Sequence, residues 1–439
     1  MQHKTYLVVA FLLVIGCTKF EDAEMTQRNT FVHFYSSATN YIGLTAELDT
    51  DGGFILSGEI KKDNGVSDAL IIKTDARGHK IWEKVIPHGI INAIKPRQNG
   101  YILLGDSIQM NTGSQNVEVS ELVNSFARLL LMDAKGNILA QHITSGTVRR
   151  TVDNTPVDLT IDYHGSALAV NEGNIFILGS FRIPGENEST FVAAFDPSDI
   201  RDSLWYQSYY SLDNHDLFNC KALHLTPASG LVWASSNYTQ DQNVSREYLS
   251  ISLVQPNSTF KDYSVYGESD PRNHAVEDIQ RSSVGYCAIG TYAETNGLNA
   301  NMYFIRIDAN LKVIPESARY IDGEELMVNN RLLDNTSKTS SGSFDQGLAI
   351  VATDDGYVLA GTMTSTPNVG NGGTDILLVK VDPFGNLLWK KLIGGSGDET
   401  VASIRETPDK GLLLCGTNTI NGLSTMMLVK TDGNGNLDN

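Results

Sequence analysis

The chain has 439 residues, of which 41% are hydrophobic and 19% are charged. This composition excludes a disordered chain and supplies enough apolar surface for a large core. Asp and Glu number 51 against 33 Lys and Arg, which gives a formal net charge of −18. Because so acidic a chain repels phosphate backbones, composition alone disfavours nucleic-acid binding.

The first residues have the pattern of a sorting signal. Lys4 precedes an apolar run over residues 6–15, which is too short to span a bilayer but suits a signal-peptide core. The run ends in Val14-Ile15-Gly16-Cys17, which resembles a bacterial lipobox. The resemblance implies a signal peptide over 1–16, acylation of Cys17 and a lipidated tether over 17–29. Two or three acyl chains give a stable anchor, so we expect a mature chain that is tethered to the membrane without a transmembrane span. An ordinary secretory signal with an incidental cysteine is the alternative.

The residues after Cys17 bear on localisation. Glu21, Asp22 and Glu24 lie close to the lipidated position, which resembles the surface-export signal of Bacteroidota lipoproteins. The resemblance implies the bacterial outer membrane, with surface exposure favoured over the periplasmic side. The remaining cysteines, Cys220, Cys287 and Cys415, are odd in number and lack CxxC spacing. We expect them to be buried hydrophobic residues, not disulfides or metal ligands.

A short apolar segment that ends in a small residue recurs seven times along the chain. Each copy is followed by a second apolar segment, which in most copies closes on an Asp-x-x-Gly turn such as Asp75–Gly78 or Asp382–Gly385. Trp82, Trp205 and Trp389 then fall at matching places in the next segment. The seven copies begin at Gly53, Gly100, Asn174, Gly230, Gly285, Gly356 and Gly411.

Seven such copies, with four short strands in each, predict an all-β chain folded as a single seven-bladed β-propeller over residues 30–439. The last copy stops at 432–439, where a fourth strand is due. Thr30–Tyr35 has the alternation of such a strand and no blade of its own. We therefore predict that this N-terminal strand completes the seventh blade and closes the ring.

The unit Ile376–Gly395 resembles propeller repeats of secreted Bacteroidota proteins, which are similar in appearance to quinoprotein-like (PQQ-like) repeats. The resemblance covers about residues 30–439 and implies that Trp82, Trp205 and Trp389 dock one blade on the next. It implies fold and envelope location but little about activity, because propellers serve both binding and catalysis. The fourth copy departs from it, with Gln255 in place of the turn Asp. No cofactor-site motif is recognisable, so no cofactor is expected.

The two faces of the predicted ring differ. The loops between second and third strands and the links between blades open on one face, here called the long-loop face. The two other turns of each blade open on the opposite, tight-turn face. The long insertions, over 106–124, 144–162 and 321–343, all belong to the long-loop face. Irregular loops of this length are usually functional or disordered, which favours the long-loop face as the working face.

Those insertions carry a group of charged residues. They suit a cationic patch on another envelope protein or a polar glycan, although solvated charge around a polar rim explains them as well. Tyr238 and Tyr292 are the clearest aromatic residues nearby, which is few for a glycan site. The candidate binding residues are Glu118, Glu121, Arg149, Arg150, Asp322, Glu324, Glu325 and Arg331, with further carboxylates at Asp153, Asp158, Asp162 and Asp334.

Sequence signals for chemistry are weak. No GxxxxGK loop, HExxH helix or GxSxG elbow occurs. Gly394–Glu399 is glycine-rich but lacks a following lysine, so it is interpreted as a link between blades. Asp432–Asp438 is reminiscent of a calcium loop but lacks the glycine and glutamate of an EF-hand, so no metal is predicted. Five residues near the starts of predicted innermost strands could form an acid/base or metal site at the channel mouth, or could cap turns. They are His164, Asp216, His274, Asp345 and Asp398.

Two functional hypotheses remain open. The first is a non-enzymatic, lipid-anchored propeller that binds or scaffolds another envelope protein or a polymer. The alternative is a propeller enzyme, a polysaccharide hydrolase or lyase, with a carboxylate and histidine site at the channel mouth. Quinoprotein catalysis has the least support, and no catalytic residue is assigned.

Overall fold

A computed structural model describes most of the chain after residue 28. The described ranges are 29–35, 40–62, 65–110, 123–152, 155–209, 215–228, 230–241, 244–255, 260–270, 272–282, 284–294, 299–334 and 344–437. The elements in chain order are β1 (Phe31–Tyr35), β2 (Asn40–Leu48), β3 (Phe54–Lys61), β4 (Asp68–Thr74), β5 (Lys80–Ile86), β6 (Gly89–Arg97), β7 (Gly100–Met110), β8 (Val123–Asp133), β9 (Ile138–Thr144), β10 (Gly146–Val152), β11 (Thr155–Val170), β12 (Ile175–Arg182), β13 (Ser189–Asp196), β14 (Asp199–Tyr209), β15 (His215–Leu225), β16 (Leu231–Asp241), β17 (Val244–Val254), β18 (Phe260–Tyr266), β19 (Asn273–Ser282), β20 (Gly285–Ala293), β21 (Ala300–Asp308), β22 (Val313–Ile321), α1 (Gly323–Asn329), β23 (Leu333–Asp334), β24 (Asp345–Thr353), β25 (Gly356–Thr364), β26 (Thr374–Val381), β27 (Leu387–Ile393), β28 (Asp398–Glu406), β29 (Leu412–Ile420) and β30 (Leu423–Thr431).

The strands form seven antiparallel blades, which confirms the predicted seven-bladed propeller. Blades 1 to 6 each take four consecutive strands, starting at β2, β6, β11, β15, β19 and β24. Blade 7 consists of β28, β29 and β30 together with β1. Two short strands extend this pattern: β10 pairs with β11, and β23 pairs with β22.

The N-terminal strand closes the ring, as predicted. β1 runs antiparallel to β30, from the Phe31–Lys430 pair to the Tyr35–Met426 pair. Tyr35 also donates from its hydroxyl to the Gly78 carbonyl of blade 1 at 2.6 Å. Since the first strand belongs to the last blade and contacts blade 1, the two ends of the propeller are fastened together.

Apolar side chains are buried between blades. Among the described residues, each of the seven junctions has its own cluster, built from both neighbouring sheets. No single sheet can bury both of its faces, so each blade depends on its two neighbours. Cys220, Cys287 and Cys415 are buried and free, as the sequence predicts.

The three tryptophans predicted to dock blades lie at blade junctions. Trp82 donates from its indole nitrogen to the Ala134 carbonyl of blade 2 at 3.2 Å. Trp389 lies against the turn of blade 7, where a Cβ on Gly435 would be 3.1 Å from its ring. Trp205 packs against the cluster shared by blades 3 and 4. Trp82 and Trp389 therefore contact the blade that follows their own, and Trp205 packs at the junction with the next blade.

Each inner strand contains a β-bulge near its middle. In blade 1 the register shifts between Gly43 and Thr45, and in blade 5 between Val276 and Asp278. The extra residue of a bulge is left out of the ladder and turned to a new direction. In six blades that residue lines the central channel; these residues are Leu44, Asn92, Ser166, Glu277, Leu348 and Ala402.

The turns of the tight-turn face donate backbone hydrogen bonds to their own aspartate carboxylates. Asp382 accepts hydrogen bonds from the backbone N–H groups of Phe384 and Asn386, each at 2.8 Å. The same pattern occurs at Asp75, Asp133, Asp308 and Asp432. Asp432, in the segment reminiscent of a calcium loop, is thus part of an ordinary turn.

Buried lysines bind other carboxylates of that face. Lys73 is 4% exposed and lies 2.9 Å from Asp49, a residue of the first turn of its blade. Lys430, at the matching position of blade 7, lies 2.6 Å from Asp409. In blade 6, Lys380 pairs in the same way with Asp355. These carboxylates are therefore committed to holding strand and turn together.

β1 provides a matched test of ring closure. Tyr35 is 9% exposed, whereas its neighbour Phe34 is 53% exposed. We expect Tyr35→Ala to lower the free energy of unfolding by about 3–5 kcal/mol, because it removes a buried ring. Phe34→Ala should change it by no more than about 0.5 kcal/mol. Urea denaturation monitored by tryptophan fluorescence measures both. Equal effects of the two substitutions would contradict the closure.

Candidate functional site

The insertion between blades 2 and 3 is a projecting β-hairpin, not an irregular loop. β10 pairs with the first half of β11, from the Gly146–Ile161 pair to the Val152–Thr155 pair. β11 is long because its second half continues as the inner strand of blade 3. The alternating, β-branched residues of this segment explain why it forms strands. The sequence interpretation of 144–162 as a loop was wrong in this respect.

Two predicted binding residues lie on this hairpin. Arg149 is exposed and lies 3.7 Å from Asp158 on the paired strand. Arg150 pairs with Glu186, which follows strand β12 of blade 3. Both arginines are thus presented on the long-loop face, each beside a carboxylate. Glu118 and Glu121 lie outside the described residues, as does Asp153.

The insertion after blade 5 contains the helix α1. Asp322 is 2% exposed and caps this helix, because its carboxylate accepts the Glu325 N–H at 3.0 Å. Asp322 is therefore a structural residue and not part of an exposed binding surface. Glu324 accepts from the Asn368 side chain at 2.7 Å, while Glu325 lies 3.9 Å from Arg331. Both glutamates are in the first helical turn, where the helix dipole favours negative charge.

The residues predicted to surround the channel mouth do not meet there. His274 is fully buried among tyrosine rings, with its ring centroid 4.8 Å from that of Tyr292. Asp345 is also fully buried and accepts the Gly323 N–H at 2.7 Å. Both side chains face a neighbouring blade, so the predicted convergence was wrong for them. Tyr292 itself is only 5% exposed, which removes it from the predicted binding surface.

The other predicted residues of this group have separate positions. Asp398 accepts the Thr374 N–H at 3.1 Å and belongs to the junction of blades 6 and 7. The side chains of Asp216 and Tyr238 lie outside the described residues. Of the two histidines in this group, His274 is buried and His164 is exposed, and the surroundings of His164 include residues that the sequence did not single out.

His164 lies between a carboxylate and a hydroxyl group. Its Nδ1 is 3.1 Å from Asp106 and 3.3 Å from Ser125. The hydrogen bond with Asp106 raises the pKa of His164. A hydrolytic triad needs the carboxylate on one ring nitrogen and the nucleophile on the other. Because both partners share Nδ1, this arrangement is not a catalytic triad despite its composition.

Asp106 has a second contact that explains its burial. Its other oxygen accepts the Gly165 N–H at 2.8 Å, directly before the bulge of blade 3. Matching bonds join Thr417 to the Gly43 N–H and Ser236 to the Val276 N–H, each at 3.0 Å. In each pair a side chain on one blade accepts from the inner strand of the next blade. Asp106 is therefore part of a repeated link between blades.

The central channel has a volume of about 560 Å³ and is lined by the inner strands of all seven blades. Its lining combines charged and polar residues with apolar ones such as Leu44 and Leu348. Among the described residues that line it, none is Trp, Tyr or Phe, so the channel has no aromatic platform for a sugar ring. The ionisable side chains in the lining are Glu47, Lys95, Lys221, His224, Glu277, Asp278 and Arg405.

Most of these charges are paired across blades. Glu47 lies 2.9 Å from both Lys95 and Arg405, which joins blades 1, 2 and 7. Burial alone would raise the pKa of Glu47, but Arg405 and Lys95 lower it below its usual value. Lys221 and Glu277 pair at 2.9 Å between blades 4 and 5. The channel charges therefore act first as links between blades.

Asp278 is the channel carboxylate without a cationic partner within salt-bridge distance among the described residues. It accepts the Ile350 N–H of blade 6 at 3.1 Å and the Ile279 N–H at 2.8 Å. Burial raises its pKa to about 6. Ser403 occupies the matching position of blade 7 and accepts the Ala46 N–H of blade 1 at 3.0 Å. Asp278 thus makes the same link between inner strands that a serine makes elsewhere.

The described residues contain no group of three or more His, Cys, Asp or Glu side chains arranged to hold a metal ion. His224 is committed to the Ile279 carbonyl at 2.6 Å. Within the described part of the chain, no helix is long and apolar enough to cross a membrane.

No protein-family model matches the chain, and no curated protein sequence matches it. Similar solved structures include a Fusarium graminearum α-L-arabinofuranosidase, with a TM-score of 0.44 and 9% identity over 92% of this chain and 98% of that one. Penicillium chrysogenum α-L-arabinanase has a TM-score of 0.41 and 9% identity over 91% and 98%. Trypanosoma rangeli sialidase has a TM-score of 0.43 and 9% identity over 93% of this chain, which spans 58% of the sialidase. Identities this low describe a likeness of fold and transfer no activity.

Asp278 gives a pH-dependent prediction. Its pKa is raised from 3.8 to about 6 in the folded chain, so its ionisation destabilises the fold as the pH rises through 6. Asp278→Asn keeps an acceptor for Ile350 and removes the ionisation. We expect the parent to lose up to about 2 kcal/mol of stability, relative to this variant, between pH 4.5 and 7.5. Urea denaturation at both pH values measures the difference.

Ser403→Ala is the matched control for this experiment. It removes the equivalent link in blade 7 but no titrating group, so its destabilisation should be the same at both pH values. An unchanged pH dependence in Asp278→Asn would show that Asp278 is not the group responsible.

Proposed function

We propose that the protein is a lipid-anchored β-propeller of the bacterial outer membrane that binds another envelope protein or a glycan through its long-loop face. The observation that carries this proposal is the asymmetry of the ring. A hairpin and a helix are added on the long-loop face, whereas the carboxylates of the tight-turn face are bound by their own turns and by buried lysines. The long-loop face is therefore the one that carries structure beyond the blades, and we assign the partner to it.

The hairpin β10–β11 is the most prominent feature of that face. It projects beyond blade 3, and its residues Arg149, Arg150 and Asp158 are exposed. Paired charges on a rigid hairpin favour recognition of a polar surface carrying both signs. Glu324, on α1, adds a carboxylate to the same face. A partner with exposed basic groups agrees with the overall charge of −18.

The position of the first described residues supports an orientation. β1 begins at Phe31 opposite Lys430, beside the turn of Asp432, and Lys430 donates to the Asn29 carbonyl at 2.9 Å. The chain thus enters the ring from the tight-turn face. The proposed anchor, Cys17, lies outside the described residues, and twelve extended residues reach at most about 40 Å. An anchor at this position attaches the ring to the membrane from its tight-turn side, which favours an orientation with the long-loop face directed away from the membrane.

A propeller enzyme that cleaves a polysaccharide is a second candidate. The observation that favours it is the adjacent carboxyl pair Glu277 and Asp278 in the open channel, since the raised pKa of Asp278 suits a general acid. The variant Asp278→Asn separates the two proposals. Loss of reducing-end release from envelope polysaccharide in this variant would favour the enzyme, while unchanged binding without any cleavage by the parent would exclude it.

The hairpin tests the binding proposal. Replacing residues 147–160 by a two-residue turn between Gly146 and Ile161 should leave blade 3 intact, because this part of β11 lies outside the blade. Binding to outer-membrane extract in a pull-down, or to a glycan array, should fall at least tenfold. Lys135→Glu, in a turn of the opposite face, is the control and should bind as the parent does. Binding that survives hairpin removal but is lost in the control would contradict the proposal.

Cys17→Ser tests the anchor separately. Acylation requires the Cys17 sulfur, so this variant should appear in the soluble fraction or as an unprocessed precursor. Fractionation and metabolic labelling with an alkyne fatty acid measure both outcomes. Cys220→Ser is a matched control. Because the Cys220 thiol is buried in the ring, its removal should leave the labelling at Cys17 unchanged. Mature, membrane-bound and unlabelled Cys17→Ser protein would overturn lipidation at this residue.

A further inference from the structure

Two glycine-rich segments cross at the junction of blades 6 and 7 on the long-loop face. One is the loop 370–373 of blade 6, and the other is the link 394–397. A Cβ on Gly372 would lie 2.5 Å from the carbonyl oxygens of both Gly395 and Gly397, and one on Gly373 would overlap Asp398. Side chains at these positions would prevent the close approach of the two segments. The crossing therefore brings many oxygen atoms into a small volume.

A buried carboxylate lies at this junction with one oxygen unused. Asp375 is fully buried, and its Oδ2 accepts hydrogen bonds from the Ser365 hydroxyl at 2.7 Å and the Asn371 N–H at 2.9 Å. Its Oδ1 has no hydrogen-bond partner among the described residues. A buried carboxylate oxygen is costly to leave without a partner.

A second buried carboxylate faces that oxygen. Glu399 is 3% exposed, and a Cβ on Gly394 would overlap Asp375 Oδ1 and lie 2.9 Å from Glu399 Oε2. The two oxygens thus approach the same point from opposite residues. Glu399 Oε2 also accepts the Gly395 N–H at 2.9 Å, and its Oε1 accepts from the Asn418 side chain at 2.9 Å. Among the described residues, no Lys or Arg forms an ion pair with any of these three carboxylates.

In blade 1, the carboxylate at the position that corresponds to Asp375 has a lysine partner. Asp68 precedes its turn residue Asp75 by seven positions, as Asp375 precedes Asp382. Lys62 lies 2.6 Å from Asp68, and the other oxygen of Asp68 accepts the His88 N–H at 2.9 Å. In blade 6 the residue at the place of Lys62, directly after the second strand, is Ser365. Blade 6 thus has a neutral residue where blade 1 supplies a cation.

We propose that the junction of blades 6 and 7 binds a hard divalent cation of the Ca²⁺ class between Asp375 Oδ1 and Glu399 Oε2. Such cations take carboxylate, carbonyl and water oxygens. The cation does at this junction what Lys62 does in blade 1. This site is independent of the partner proposed for the long-loop face. A proton shared by the two carboxyl groups is the competing explanation.

The test is calcium titration of the full chain, purified in detergent and freed of metal with a chelator. Isothermal titration with CaCl₂ should show one site with a Kd on the order of 10⁻⁴–10⁻³ M, the range of extracellular calcium modules. Asp375→Asn and Glu399→Gln should each weaken this binding at least tenfold. Glu316→Gln removes one exposed carboxylate elsewhere and should leave it unchanged. Calcium should also raise the Tm of the parent and of this control only.

Two results would overturn the proposal. One is a parent chain that takes up no Ca²⁺ up to about ten times the upper end of that Kd range. The other is binding of unchanged affinity in both junction variants, which would place the calcium elsewhere. A shared proton predicts the first result together with a Tm that is insensitive to calcium. If Asp375→Asn does not fold, Glu399→Gln and the titration of the parent decide the question.

Discussion

The N–H groups released by the inner-strand bulges set the relation between neighbouring blades. A bulge removes one residue from the ladder, so the backbone beside it needs an acceptor from outside its own sheet. Thr417, Asp106 and Ser236 supply that acceptor from the preceding blade at three junctions. Because each bond joins a fixed position of one sheet to a fixed position of the next, it sets both the spacing and the height of the blades.

The same bulges determine the character of the channel. The residue left out of each ladder is turned toward the axis, so one residue from each of six blades decides what lines the channel at that level. Glu277 is such a residue, and its neighbour Asp278 holds the next blade. Charge in the channel and cohesion of the ring therefore arise from adjacent positions of one strand. This arrangement explains how a charge can line the channel while the residue beside it joins two blades.

The sequence predicted the blades and the closure of the ring because both depend on local signals. A repeated apolar segment marks every blade, a turn aspartate marks every blade except the fourth, and the alternation of β1 identifies a strand without a blade. The positions of His274 and Asp345 were predicted wrongly. Alternation separates the two faces of a strand, but the local sequence does not show whether a given face points to the channel or to a neighbouring sheet. The links made by Asp278 and Ser403 join residues 72 and 357 positions apart. No local pattern marks partners at such separations.

The direction of β1 has a mechanical consequence. A force applied to the chain before Thr30 and directed away from the tight-turn face acts along the axis of β1, parallel to its ladder with β30. The five residue pairs from Phe31–Lys430 to Tyr35–Met426 then share the force in shear, instead of separating one after another from one end. A force directed across the strand would peel it from one end instead. The closure of the ring therefore resists tension along β1, the direction in which the chain enters the ring at Thr30, better than tension across it.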